Sequence, residues 1–174
     1  LLKKAGLEKG FDIELWTLPV SRPYNPNGKK MGELMQADLA KVGIRVKLVT
    51  YDWPTYLAKS RNGEHQMMQI GWTTDNGDPD NFMGTLLSCA AVAAGGNLAR
   101  WCDKDYEQVI SKARVISDTK TRTSEYLKAQ KLFAQKMPWV TIAHATVFRG
   151  VAKNVDGYRI GPLGVEDFYP IDIK

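Results

Sequence analysis

Apolar and polar positions alternate from Asp12 to Leu18 (DIELWTL) and again from Ile44 to Tyr51 (IRVKLVTY), the period of a half-buried β-strand. Between these runs, Lys29 to Lys41 carries Met31, Leu34, Met35 and Leu39, with Val42 just beyond, at helical spacing. Pro19 ends the first strand, Asn25-Pro26-Asn27 supplies a turn, and Gly43 stops the helix. Asp52 is placed to cap a short helix through about Arg61, with Pro54 tolerated in its first turn, and Asn62-Gly63 ends it. Gln66 to Thr73 (QMMQIGWT) reads as a third strand. The order strand–helix–strand–helix–strand with short connectors predicts an α/β lobe with a largely parallel sheet.

Farther along, Asp103 caps a predicted helix through about Ile116, and a second helix runs from about Lys120 to Met137 until Pro138 interrupts it. Its Leu127, Lys128, Lys131, Leu132 and Gln135 mix faces as a surface helix does. Trp139 to Thr146 (WVTIAHAT) is predicted as a strand, and the remaining tail as short β segments joined by turns. At the other end, Leu1 to Leu7 reads as the last turn of a helix. Gly6 suits a left-handed residue there, and Lys3 and Lys4 suit the negative end of the helix dipole. Nothing precedes that turn to begin it, so the expectation is a piece of a longer protein with its N-terminal portion missing.

Composition narrows the class. Apolar residues are 44% and charged residues 25% of the chain, the balance of a globular protein rather than a disordered one. No apolar run approaches the ~20 residues that cross a bilayer, and the first residues carry no secretory signal pattern. The net charge is +5, but Lys3-Lys4 and Lys29-Lys30 are the only adjacent basic pairs. No stripe interleaves Arg with aromatics, which argues against nucleic acid as a partner. Cys89 and Cys102 bracket a small, glycine-containing stretch, AAVAAGGNLARW, and read best as a disulfide worth ~3 kcal/mol in an oxidising compartment. The alternative is two unrelated buried thiols. No further Cys or His pair completes a zinc set.

The chemistry concentrates in GWTTDNGDPDNF, residues 71–82, where three aspartates fall within six positions at the end of an apolar run. A calcium loop is a poor match. Counted from Asp75, Gly77, Pro79, Asp80 and Leu86 stand where an EF-hand needs two ligands, a glycine and an acid. No nucleophile, metal or cofactor motif accompanies the acids. His65 lies in a polar loop, and His144, inside an apolar run, reads as a core histidine. Peptide hydrolysis is therefore the weaker account. Asp78-Pro79-Asp80 reads as a turn entering a short helix at Asn81 to Leu87, a structural role for Asp78 or Asp80. Asp75 is left over at a strand's carboxyl end, where open α/β sheets collect ligands, and could hold an ammonium group. Arg22 follows the first strand and could hold a carboxylate with two parallel hydrogen bonds; the alternative is an ordinary surface arginine. Together they would select a zwitterion such as an amino acid or a short peptide.

WTLPVSRPYNPNGKKMGELMQADLAKVGI, GEHQMMQIGWTTDNGDPDNFMGTLLSC and IAHATVF resemble the periplasmic dipeptide-binding proteins of ABC importers, part of the wider peptide/nickel solute-binding class. The resemblance covers essentially the whole chain and corresponds to the C-terminal third of such a protein. It implies the type II periplasmic-binding-protein fold, a mixed sheet with flanking helices, in a two-lobed receptor that closes on its ligand without chemistry, metal or cofactor. Residues 1–145 would form the ligand-binding lobe, and 146–174 would return to a lobe that is mostly absent. By resemblance, Asp75 binds the peptide's amino group, Arg22 its carboxylate, and the backbone of Gly71, Trp72 and Thr73 borders it. Trp72 and Phe82 are placed equally well for ligand contact or core packing. Cys89 and Cys102 match a family disulfide. Thr74 departs from the glycine that relatives often carry. The resemblance also implies a periplasmic location, a signal peptide in the missing portion, a membrane permease as partner and a monomeric full-length receptor. Relatives that carry haem, glutathione or oligopeptides are the alternatives.

Overall fold

In the computed structural model, which describes residues 1–164 and 166–174, β1 (Phe11–Trp16) lies between β2 (Ile44–Val49) and β3 (Met67–Met68) in one parallel sheet. Phe11 to Trp16 pair in register with Ile44 to Val49. The register sets Asp12 against Arg45 and Glu14 against Lys47, and both pairs close as ion pairs (2.7 and 2.8 Å) on the sheet's exposed face. The opposite face carries Leu15 and Val46, both buried. The predicted parallel α/β arrangement is therefore present.

α1 (Gly28–Ala40) crosses from β1 to β2, and Asn27 caps it by accepting the Lys30 N–H (3.0 Å). Its most buried residues are glycines rather than the apolar stripe. Leu34 and Val42, expected on the inner face, are 62% and 57% exposed. A Cβ at Gly28 would stand 2.4 Å from the Leu18 carbonyl oxygen, and one at Gly32 the same distance from Thr17 Cγ2. Gly28 thus packs against the backbone just past β1 and Gly32 against the Thr17 side chain, both closer than an added Cβ allows. α2 (Trp53–Asn62) starts on Asp52, which accepts the Thr55 N–H, and ends on left-handed Gly63.

The third strand is shorter than predicted. Only Met67 and Met68 pair, because β1 offers just Leu15 and Trp16 as partners there. Beyond them Gln69 takes over. Its N–H donates to the Trp16 carbonyl (3.0 Å) and its side-chain oxygen accepts the Leu18 N–H (3.2 Å).

α3 (Asp80–Met83) and α4 (Cys89–Ala93) are single turns, and α4 occupies part of the stretch read as a loop between the cysteines. Ser88 caps it, and Cys89 and Cys102 are joined as a disulfide. α5 (Lys104–Arg114) and α6 (Thr119–Lys136) form an antiparallel hairpin capped by Asp103 and Asp118. Leu87, Tyr106, Ile110 and Ala129 make its core. A second core, Trp16, Leu18 and Tyr56, lies under the carboxyl end of the sheet.

Two expectations fail in the tail. Trp139 to Thr146 forms no strand, and His144 is exposed rather than in a core. A strand requires neighbouring N–H and C=O groups, and no described strand pairs with this run. The tail beyond does carry short β segments: β4 (Val155–Asp156) and β5 (Asp172–Ile173) pair antiparallel. Val165, inside the predicted returning segment, lies outside the described residues. At the N-terminus, Lys3–Ala5 form a 3-10 turn closed by left-handed Gly6, and Leu7 N–H reaches the Leu2 carbonyl (2.9 Å).

Candidate functional site

Two chain segments leave the carboxyl edge of the sheet side by side. After β1, Pro19 breaks the ladder. Arg22 and Asn25 then exchange both backbone hydrogen bonds (3.1 and 3.0 Å) in a tight turn. After β3, Gly71 passes so close to Tyr24 that a Cβ there would stand 2.3 Å from the ring. Only glycine lets these two loops touch at that point.

Gln69 ties the loops together. Its side-chain oxygen also accepts from Asn25 Nδ2 (3.4 Å), and its carbonyl accepts from the Tyr56 hydroxyl (2.6 Å). Burial pushes the Tyr56 phenol well above its ordinary pKa, so it stays a neutral donor. Sequence reasoning missed Gln69, Asn25 and Tyr56. The only signal was a glutamine inside an otherwise apolar run, which asks for buried partners.

The Arg22 guanidinium lies over the Trp53 ring, 4.7 Å from its centroid, and Trp53 in turn stacks on Tyr56 at 5.9 Å. Among the described residues no carboxylate stands within ion-pair distance of Arg22. Tyr24 is half-buried and its pKa is raised by that burial, with the Arg22 charge pulling the other way.

The three aspartates have separate partners. Asp78 receives both Arg122 nitrogens (2.7 and 2.9 Å) and the Asp80 N–H (2.8 Å). The Arg122 hydrogen bonds are the main reason its carboxyl lies below the usual range. Asp80 accepts from Arg114 (2.8 Å). These two acids pin α3 to α5 and α6, the structural work expected of the turn. Asp75 makes no ion pair among the described residues and is exposed. Its Oδ2 accepts from Asn81 Nδ2 (2.9 Å), while Asn81 Oδ1 accepts both the Asp75 N–H (3.0 Å) and Trp72 Nε1 (2.7 Å). Trp72 and Phe82 are each more than a third exposed. Thr73 Cγ2 lies 3.5 Å from where a Cβ of Gly164 would be, so the tail passes this loop.

His65 stands apart, with its ring edge-on to Trp16 (5.7 Å) and Nε2 3.0 Å from the Leu98 carbonyl. Among the described residues no three His, Cys, Asp or Glu side chains gather in a way that could hold a metal ion.

The sequence profile of the bacterial extracellular solute-binding proteins, family 5 middle, matches residues 1–94. The chain belongs to that family. Like other members, it has the type II periplasmic-binding-protein fold. The dipeptide-binding protein of Escherichia coli (strain K12) is 51% identical over 174 residues, all of this chain and 32% of that protein. A crystal structure of the dipeptide binding protein from Pseudoalteromonas sp. SM9913 in complex with Met-Leu superposes with a TM-score of 0.91 at 40% identity. That match covers 99% of this chain and 34% of the other. Heme-binding protein A of Haemophilus influenzae is 35% identical over 173 residues, 31% of its length. The chain thus spans about a third of the length of these relatives.

Proposed function

We propose that this chain is the ligand-binding portion of a periplasmic receptor that captures dipeptides for an ABC importer and works by closure rather than chemistry. Asp75 would grip the peptide's ammonium group and Arg22 its carboxylate, with the backbone of Gly71, Trp72 and Thr73 along the peptide. Residues 1–145 would form the lobe that carries this site, and 146–174 would pack on the N-terminal lobe. A membrane permease would receive the ligand.

One observation carries this reading. Of the charged side chains on the two loops at the sheet's carboxyl edge, Asp78 and Asp80 are neutralised by arginines of the scaffold, whereas Asp75 and Arg22 are in no ion pair among the described residues. A ligand with one charge of each sign would neutralise both. Lobe closure would exclude water and strengthen both contacts, whereas half of the receptor would leave them solvated and weak.

Calorimetry on the full-length receptor tests the assignment. Arg22→Ala and Asp75→Ala should each weaken dipeptide binding by at least ~1.5 kcal/mol, the lower end for a hydrogen bond to a charged group, and no cleaved product should accumulate. Unchanged affinity in either variant removes that residue from the site, and turnover would make the protein a hydrolase. The haem-binding relative gives the second reading. Haem binding that a dipeptide fails to displace would favour it.

A further inference from the structure

We propose that Asn81 is a positioning residue that aims the Asp75 carboxylate; this rests on the reading of Asp75 as the ammonium contact. Asn81 meets three groups at once, and their chemistry leaves its amide a single orientation. Trp72 Nε1 and the Asp75 N–H are donors only, and both end on Asn81 Oδ1 (2.7 and 3.0 Å). The Asp75 carboxylate is an acceptor, and it receives Asn81 Nδ2 on Oδ2 (2.9 Å). Turning the amide over would face two donors with a third and an acceptor with another acceptor.

This arrangement links Asp75 to a part of the scaffold that cannot shift easily. Asn81 is the second residue of α3. That turn is held on one side by Asp80–Arg114 and Asp78–Arg122, and on another by the Tyr106 hydroxyl donating to the Met83 carbonyl (3.1 Å). Asp75 itself sits in an exposed loop with no ion pair among the described residues. Without Asn81, both its backbone N–H and its carboxylate lose the contact that fixes them. With Asn81, Oδ2 is occupied, and no hydrogen bond among the described residues reaches Oδ1. The carboxylate is thus presented with one oxygen committed to the protein and one open to a cation. A ligand that finds the carboxylate already oriented does not bear the cost of ordering it.

The test is a double-mutant cycle on the full-length receptor, with the dipeptide Ala-Phe as probe and calorimetry as readout. Asp75→Asn and Asn81→Ala should each weaken Ala-Phe binding by roughly tenfold. In the Asp75→Asn background, Asn81→Ala should add less than about twofold, because the carboxylate it orients is gone. A residue that merely stabilised the loop would cost the same factor in both backgrounds. Thermal unfolding of each variant accompanies the cycle, and Asn81→Ser repeats it if alanine lowers the midpoint. Should Asp75→Asn weaken binding while Asn81→Ala has no effect, or the same effect in both backgrounds, the positioning role is wrong and the ligand role of Asp75 stands. Wild-type affinity in Asp75→Asn instead removes Asp75 from the site, and the positioning role with it.

Discussion

At Gly28 a methyl group would have to occupy space 2.4 Å from a backbone oxygen and 2.6 Å from the Leu18 Cβ. The backbone fixes both positions, so helix and strand would have to move apart. Gly28→Ala should therefore destabilise the protein by about 1–3 kcal/mol, the usual cost of overpacking, measured by urea denaturation. A neutral or stabilising result would mean that α1 can slide on β1. The same crowding recurs where Gly71 meets Tyr24, and there it sets how the Arg22 and Asp75 loops lie together. Residue-scale reading of the sequence found the caps Asp52 and Asp103 and the left-handed Gly6, because each depends on neighbours a few positions away. It did not find the packing role of Gly28 or the contacts of Gln69 with Trp16, Leu18, Asn25 and Tyr56. Those depend on atoms that folding brings in from 10 to about 50 residues away.

Among the elements, the disulfide-bracketed segment is tied to the sheet through His65. The Leu98 carbonyl is an acceptor, so Nε2 carries the hydrogen and Nδ1 is left bare; it is buried with no described partner. Burial lowers the His65 pKa below its ordinary value, against the Leu98 hydrogen bond and with a smaller push from the Arg100 charge. The unfolded chain therefore binds a proton more readily than the folded one as the pH drops. The stability contribution is complete above the unfolded value and is lost as pH falls through it toward the folded value. Between pH 7.5 and 5, the wild-type protein should lose more stability than His65→Gln, compared by thermal unfolding at each pH. Equal losses would show that the ring is free to accept its proton in the native state. The four longer helices and the first two strands were legible because their periods extend over several residues, whereas α4, a single turn, was read as loop. β3 was overread for a physical reason: QMMQIGWT has strand composition throughout, but β1 provides partners for only two of its residues.

For the molecule as a whole, the outstanding feature is the unpaired run after α6. Val140, Ile142 and Phe148 are 70%, 56% and 82% exposed, and the backbone between them joins no ladder among the described residues. Exposed apolar chain of this kind is stable when a neighbouring sheet edge and a core cover it. On the proposed function, the rest of a full-length protein would provide that cover. Amides 139–148 should then exchange slowly with deuterium in the full-length protein and rapidly in the 174-residue chain. Fast exchange in both would refute the expectation.

The sequence by itself determined the order of the first two strands and the longer helices, the caps that start those helices, the cysteine pair, and the family. These follow from side-chain periodicity, local backbone sterics and short-range capping. Tertiary structure alone supplied the partners of Asp78 and Asp80, because the arginines that claim them lie 44 and 34 residues away on other helices. It also decided that WVTIAHAT would not be a strand here. A strand exists only where another segment completes its hydrogen bonds, and a segment's own composition cannot supply that partner.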